Sequence, residues 1–442
     1  DVDLAELMVV SMDGEKDPGC LFDAFQALQA VCGAFCRFDE RDVALEMMRK
    51  AEEELFDVLA CYFPVSFEPK ERSARGITRE DLARGLEACL LAWPGFYDDA
   101  LDMLEEKMGS IVKQAKVDSM RLLAGLCARS EKSSPRRVWS MLRGDVVGAS
   151  EFQFFGKEHP IVLSTLAQCL TGHGRNGGNE GLGREVLGDV VVGDCMSCLD
   201  PDVEGYSESK EGAAFERQVG LTRSTALIFR ACALAGGPVW RRAVDKHAIY
   251  LAELFLYHVR STNVPQMCFT LLLLYALLAD VGQLSGSADC ATTKKTDEWG
   301  NAIRFAYDVL GTHILMYTWL WGAKVGADDP LAWTATTGEC SFVWPTDPAE
   351  YNFAVLLATF ARSLEAISCF DDMWVNKAGK AGSPGFVLAC RDVMRVDHEG
   401  VAAVARCALE NVCASSPGRR HDVTKKAVGL LLRELGGGDG NV

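Results

Sequence analysis

The sequence predicts an all-α fold, an α-solenoid of HEAT- or armadillo-like helical repeats with long inserted loops. Three observations carry that prediction. Apolar residues recur at helical spacing through most of the 442 residues. Helix starts and stops punctuate the chain so that helix hairpins recur at roughly 35–50 residues, the spacing of helical repeats. Strand signals are sparse, Val190-Val191-Val192 being the β-branched run of note. A chain this long also exceeds what one hydrophobic core usually supports, so it divides into domains or grows by adding repeats.

The elements follow in order. Asp17-Pro18 supplies an N-cap and a proline at the first helical position for a helix to about residue 35. A second helix from about 39 to 61 packs back on it and is stopped by Pro64, which lacks an N–H and biases its predecessor away from the helical region. Pro69 and Gly76 bracket a charged connector. Thr78 with Asp81 three residues on reads as a capping box, opening a helix over 78–92. Segments 94–107 and 113–128 are helical, the latter with Val117, Met120, Leu123 and Ala124 on one stripe. Ser134-Pro135 opens a helix toward 147, and 161–170 is another. In residues 171–215, Gly172, Gly174, Gly177, Gly178, Gly181 and Gly183 crowd the first part and Asp194, Asp200, Asp202 and Glu204 make the remainder acidic, so the stretch reads as a long, partly disordered loop. Helices resume over 215–235, 239–259 and 264–281, then over 299–321, 349–369, 383–394, 400–412 and 421–435. The resulting organisation is an amino-terminal helical domain over 1–170, a loop insertion over 171–215, further repeats over 216–435 and a flexible tail over 436–442.

Composition excludes some functions. Lys and Arg number 45 against 62 Asp and Glu, a net charge of −17. Such a chain repels phosphate, which disfavours direct, salt-driven nucleic-acid binding. The 17 cysteines are odd in number and scattered. Most (Cys61, Cys89, Cys127, Cys232, Cys268, Cys407) lie in apolar helical texture, as reduced thiols do in cytosolic or nuclear proteins. The most apolar run, Met267–Ala279, is shorter than the roughly 20 residues of a membrane span. No secretory signal is visible, and a start at Asp1 reads as a segment of something longer.

Glu54–Asp81 is the most distinctive stretch. Its ACYFPVSFEP followed by GITREDL resembles the amino-terminal domain of the MMS nineteen (Met eighteen) family. Asp13-Gly14-Glu15-Lys16-Asp17-Pro18 lies one helix pair upstream, as in that family, and Lys113–Leu126 (KQAKVDSMRLLAGL) fits as the helix that follows. Three ordered motifs at consistent spacing make the resemblance specific over residues 7–128. It implies a long HEAT-repeat, non-catalytic adaptor of cytosolic iron–sulfur assembly, linked to nucleotide excision repair and transcription, cytoplasmic and nuclear, with no cofactor of its own. The implied partners are a WD-repeat propeller, a MIP-eighteen-type protein, XPD-type helicases, DNA polymerases and primase. The family is much longer than this chain, and the carboxyl-terminal repeats that dock on the assembly core are not found here. The matched exposed pieces, Asp13, Glu15 and Lys16 with Glu68, Lys70 and Arg75, are candidate partner contacts, although caps and core aromatics explain the same motifs structurally. Trp333 and Trp344, in a Pro-containing segment, are further candidate contacts.

The chemistry-bearing patterns are few. Cys169, His173, Cys195 and Cys198 read as C-x3-H, 21 residues, then C-x-x-C, a donor set that suits tetrahedral zinc. An alternative function follows, a zinc-stabilised helical interaction module unrelated to iron–sulfur assembly, against a default of unpaired core thiols. Gly172–Gly177 matches G-x-G-x-x-G without the strand and helix a dinucleotide site requires. Cys32 and Cys36 read as core, and His247 and His258 as structural histidines. The acidic pairs Asp98-Asp99 and Glu105-Glu106 read as solvated surface rather than as general acid–base carboxylates.

Overall fold

A computed structural model describes residues 4–36, 43–66, 76–129, 134–148, 159–172, 179–201, 212–261 and 263–278. The described residues are all α: fourteen α-helices, one 3-10 turn and no strand. They belong to two compact units, Asp1–Gly144 with Pro160–Glu185, and Asp145–His159 with Val186–Val442. Within each unit, helices near in sequence pack on one another, as stacked helical repeats do. No described helix is long and apolar enough to cross a membrane.

The first unit opens with α1 (Leu4–Met12), which the sequence reading did not single out, and α2 (Pro18–Phe35). Asp17 caps α2 by accepting the Cys20 N–H at 2.9 Å, and the helix buries Leu21, Phe25, Leu28 and Cys32. The expected helix over 39–61 is two, α3 (Val43–Lys50) and α4 (Glu52–Cys61), broken at Ala51. Three glutamates follow that break, and carboxylates in a first turn stabilise a new N-terminus. After the predicted stop at Pro64, α5 (Arg79–Leu90) starts on a complete capping box: the Thr78 hydroxyl accepts the Asp81 N–H and Asp81 accepts the Thr78 N–H. Gly85 lets α5 lie against α2, because a Cβ there would meet the Phe25 ring at 3.2 Å. The 3-10 turn Pro94–Phe96 leads into α6 (Tyr97–Met108), which packs on α7 (Lys113–Arg129). Next come α8 (Pro135–Val147) and α9 (His159–Thr171).

Residues 171–215 depart from expectation. Within that stretch lie α10 (Glu180–Leu187) and α11 (Val190–Leu199), so it is not one inserted loop. The valine run, read as part of the loop, is helical: the Asp189 carboxylate accepts the Val191 N–H at 2.9 Å and caps α11. Val191 and Val192 then turn inward and Val190 stays exposed. In the second unit, α12 (Gly212–Ala235), α13 (Gly237–Arg260) and α14 (Val264–Leu278) pack against one another, and α11 lies on α12. Trp240 donates its indole N–H to the Leu277 carbonyl at 2.8 Å, tying α13 to α14. The helices and tail expected beyond 281 lie outside the described residues.

Candidate interaction surface

The three motifs of the first unit are joined by side-chain bonds. Gly14 takes φ +69°, the left-handed region that glycine enters without strain, and turns the chain between α1 and α2. The Glu15 carboxylate folds back on its own turn and accepts the Lys16 and Asp17 N–H groups at 2.7 and 2.8 Å. Tyr62, from the CYFP motif, reaches this turn. Its hydroxyl donates toward the Met12 carbonyl at 2.5 Å and lies 3.2 Å from the Glu15 carbonyl, while its ring stands edge-on to Phe25. Burial pushes the Tyr62 hydroxyl pKa up, and the Asp13 and Glu15 carboxylates add to that.

A second tie joins the other two motifs. Arg79, at the start of α5, donates its Nε–H to the Val65 carbonyl at 2.8 Å and pairs through Nη2 with Asp118 of α7. Asp118 is 5% exposed and also accepts from Gln114 at 3.1 Å. Nearby, Arg121 pairs with Glu80 at 2.9 Å, and burial raises the Glu87 carboxyl above its usual range. Phe63, Val65, Leu86, Asp118 and their neighbours enclose only about 10 Å³, so the tie is packed rather than hollow.

A larger concavity lies on the same unit. Helices α4 and α6 flank a groove of about 750 Å³, with Phe56, Ala60 and Met103 among its lining residues. Glu52, Glu53, Asp57, Asp99, Asp102 and Glu106 also line it, against two cations, Arg49 and Lys107. Some of this charge is compensated: Lys107 pairs with Glu106 at 2.7 Å, and Arg137 of α8 binds Asp102 and, at 2.6 Å, Glu105. Asp99 has carboxylates for neighbours instead. Burial, then Asp102, Asp98, Asp57 and Glu53, raise its pKa above the usual range. At one end a Cβ on Gly95 would fall 2.0 Å from Glu52 Oε2 and displace that carboxylate, which Trp93 holds by donating its indole N–H at 2.7 Å. Just past the last groove residue of α6, Ile111 and Val112 are 101% and 57% exposed. Reading Asp98-Asp99 and Glu105-Glu106 singly hid this groove; an acidic residue in mid-helix, Asp57, facing a second acidic helix was the available signal.

The predicted site residues divide. Asp13 and Lys16 are exposed on the α1–α2 turn, and Glu15 is half-buried in its own backbone bonds. Glu68, Lys70, Arg75, His173, Trp333 and Trp344 lie outside the described residues. Cys169, on α9 in the first unit, is fully buried and hydrogen-bonded to Cys127, which with burial raises its pKa well above the usual thiol range. Cys195, on α11 in the second unit, is buried beside the Thr222 hydroxyl, and burial pushes it up to about 12. Cys198 is half-buried. Metals bind thiolates, so neither buried thiol is poised as a ligand. Among the described residues no group of three or more His, Cys, Asp or Glu is arranged to hold a metal. Two cysteines placed in apolar texture are not core: Cys36 and Cys61 are exposed, whereas Cys32, Cys89, Cys127, Cys232 and Cys268 are buried. Both histidines are structural. His258 Nε2 meets the Leu199 carbonyl at 2.8 Å, and His247 lies against the Phe229 ring.

Residues 1–147 match the family model described as Dos2-interacting transcription regulator of RNA-Pol-II, the MMS19 amino-terminal domain. Among curated proteins, the MMS19 nucleotide excision repair protein homolog of Danio rerio is 33% identical over 204 residues, 44% of this chain and 18% of that protein. The Xenopus tropicalis homolog is 35% identical over 164 residues, 36% of this chain and 15% of its own. The human homolog is 33% identical over 198 residues, 44% and 18%. The matches thus span under a fifth of the length of these relatives. Residues 1–147, which hold the three interlocked motifs, are thus similar to the amino-terminal domain of the MMS19 family.

Proposed function

We propose that this chain is a non-catalytic scaffold of the cytosolic iron–sulfur protein targeting complex, acting in cytoplasm and nucleus. In this reading it bridges a WD-repeat propeller and a MIP-eighteen-type protein to client apoproteins of DNA replication, nucleotide excision repair and transcription. The clients are XPD-type helicases, DNA polymerases and primase. One observation carries the proposal: residues 1–147 match the MMS19 amino-terminal domain, and within that span Tyr62 bonds to the Asp13–Pro18 turn and Arg79 pairs with Asp118. Relatives named as nucleotide excision repair proteins support the link to repair. The net charge of −17 favours contact with DNA through proteins rather than directly.

The test is affinity capture from cell extract with the full chain as bait, read by mass spectrometry. Recovery of the propeller and MIP-eighteen-type proteins together with iron–sulfur helicases and polymerases is the expected result. Clients without the assembly core would confine the role to client binding and overturn the bridging part. Recovery of neither set overturns the whole reading.

A further inference from the structure

We propose that the groove between α4 and α6 is a docking site for a basic, amphipathic segment of a partner protein. Its lysines or arginines would lie on the groove carboxylates and one or two of its apolar side chains against the groove floor. This names a surface through which the adaptor of the preceding subsection would work and rests on that reading.

The argument starts from charge and shape. Six carboxylates line the groove against two cations; Lys107 pairs with Glu106 and Arg137 of α8 with Asp102, and the other four carboxylates are Glu52, Glu53, Asp57 and Asp99. Like charges held close on two rigid helices raise one another's energy, and a cation laid among them relieves it. Asp99 stands among four carboxylates, Asp102, Asp98, Asp57 and Glu53, which add to burial in pushing its pKa up. Acidity alone would fit a hydrated metal ion as well as a peptide, and two further features favour the peptide. The lining includes Phe56, Ala60 and Met103, and Ile111 and Val112 stand exposed just beyond its α6 end. No set of three acidic or sulfur and nitrogen ligands converges there among the described residues, as a metal would need. Glu52 to Ala60 and Asp99 to Lys107 each rise about 12 Å at 1.5 Å per residue, enough to seat two turns of helix. A basic helix with apolar residues three and four apart presents one side chain of each kind per turn to such a surface.

The test uses the full chain and a dye-labelled twelve-residue peptide of lysines with leucines at positions i, i+4 and i+7, read by fluorescence anisotropy. Binding is expected to weaken as salt rises. The paired change Asp57→Lys and Asp99→Lys, at exposed positions and checked by circular dichroism, should weaken it at least tenfold. Ile111→Ser with Val112→Ser should weaken it several-fold. A peptide with glutamates for lysines should not bind. Equal binding to the wild-type and the Asp57→Lys, Asp99→Lys chains overturns the docking site, as does equal binding of an all-lysine peptide without leucines. Extract capture with the same paired variant separates the two proposals. If the wild-type chain recovers its partners and the variant recovers the same ones, the groove fails while the adaptor reading stands. If the wild-type recovers none, the adaptor reading fails and the peptide titration still decides the groove.

Discussion

Arg79→Met tests the tie that holds α5 and α7 together. The Asp118 side chain is 5% exposed and has two side-chain donors, Arg79 and Gln114. Removing the guanidinium leaves a carboxylate in a nearly dry site with one amide donor. Breaking a buried ion pair from one side costs about 3–5 kcal/mol. The Arg79 side chain is 21% exposed, so water reaches the gap and the low end applies, about 3 kcal/mol. The measurement is hydrogen exchange by mass spectrometry on peptides from α5 and α7. At about 1.4 kcal/mol per factor of ten, protection across Lys113–Arg129 should fall about a hundredfold. Arg79→Met combined with Asp118→Leu removes both charges and fills the space with apolar atoms, and should recover most of the loss. A fall of less than tenfold in the single variant, or a double variant as unprotected as the single, would refute the claim that this pair holds the motifs in register.

Two further outcomes follow from burial. Mapped by mass spectrometry after brief alkylation near pH 8, Cys61 should be modified in the folded chain, whereas Cys32, Cys89, Cys195 and Cys232, pushed up to about 12, should react only after urea unfolding. Fast modification of Cys195 would contradict its burial in the second unit. His247 is 4% exposed, and burial followed by the Lys246 charge lowers its pKa to about 4. A histidine depressed in the folded state binds its proton more tightly when unfolded. Its stabilising contribution is therefore complete above pH ~6.5 and is lost as the pH falls toward 4, by up to about 3 kcal/mol. Urea melts from pH 7.5 to 4.5 should show that slope, flattened in His247→Leu; parallel slopes would contradict it.

The helices were legible where local chemistry decides them. Asp17-Pro18, Pro64 and the Thr78–Asp81 box set termini that the structure reproduces within a residue or two. Three features were not legible, for separate reasons. The break at Ala51 carries no glycine or proline, and only the three glutamates after it hint at a second N-terminus. Glycines dominated the reading of 171–215, yet Gly181 and Gly183 lie inside α10, where a close approach explains one of them: a Cβ on Gly181 would sit 2.8 Å from Pro135. Val190–Val192 has the composition of a strand, and tertiary burial of Val191 and Val192 overrode that preference. For the site, side-chain partners across 30 to 60 residues, such as Tyr62 with Met12 and Arg79 with Asp118, have no local signature at all.

The residues that identify the domain and the residues that would choose its partners are therefore different sets. Asp17, Tyr62, Thr78, Arg79 and Asp118 each cap a helix or join two elements, so folding alone accounts for them. Asp57 has no such account. It stands in the middle of α4, where a carboxylate gains nothing from the helix dipole, and it adds to the charge that raises Asp99 on the facing helix. An open groove lined by carboxylates from two facing helices makes physical sense if a cation from outside occupies it. The motifs specify which domain this is, and the acidic groove is where its specificity for a partner would reside.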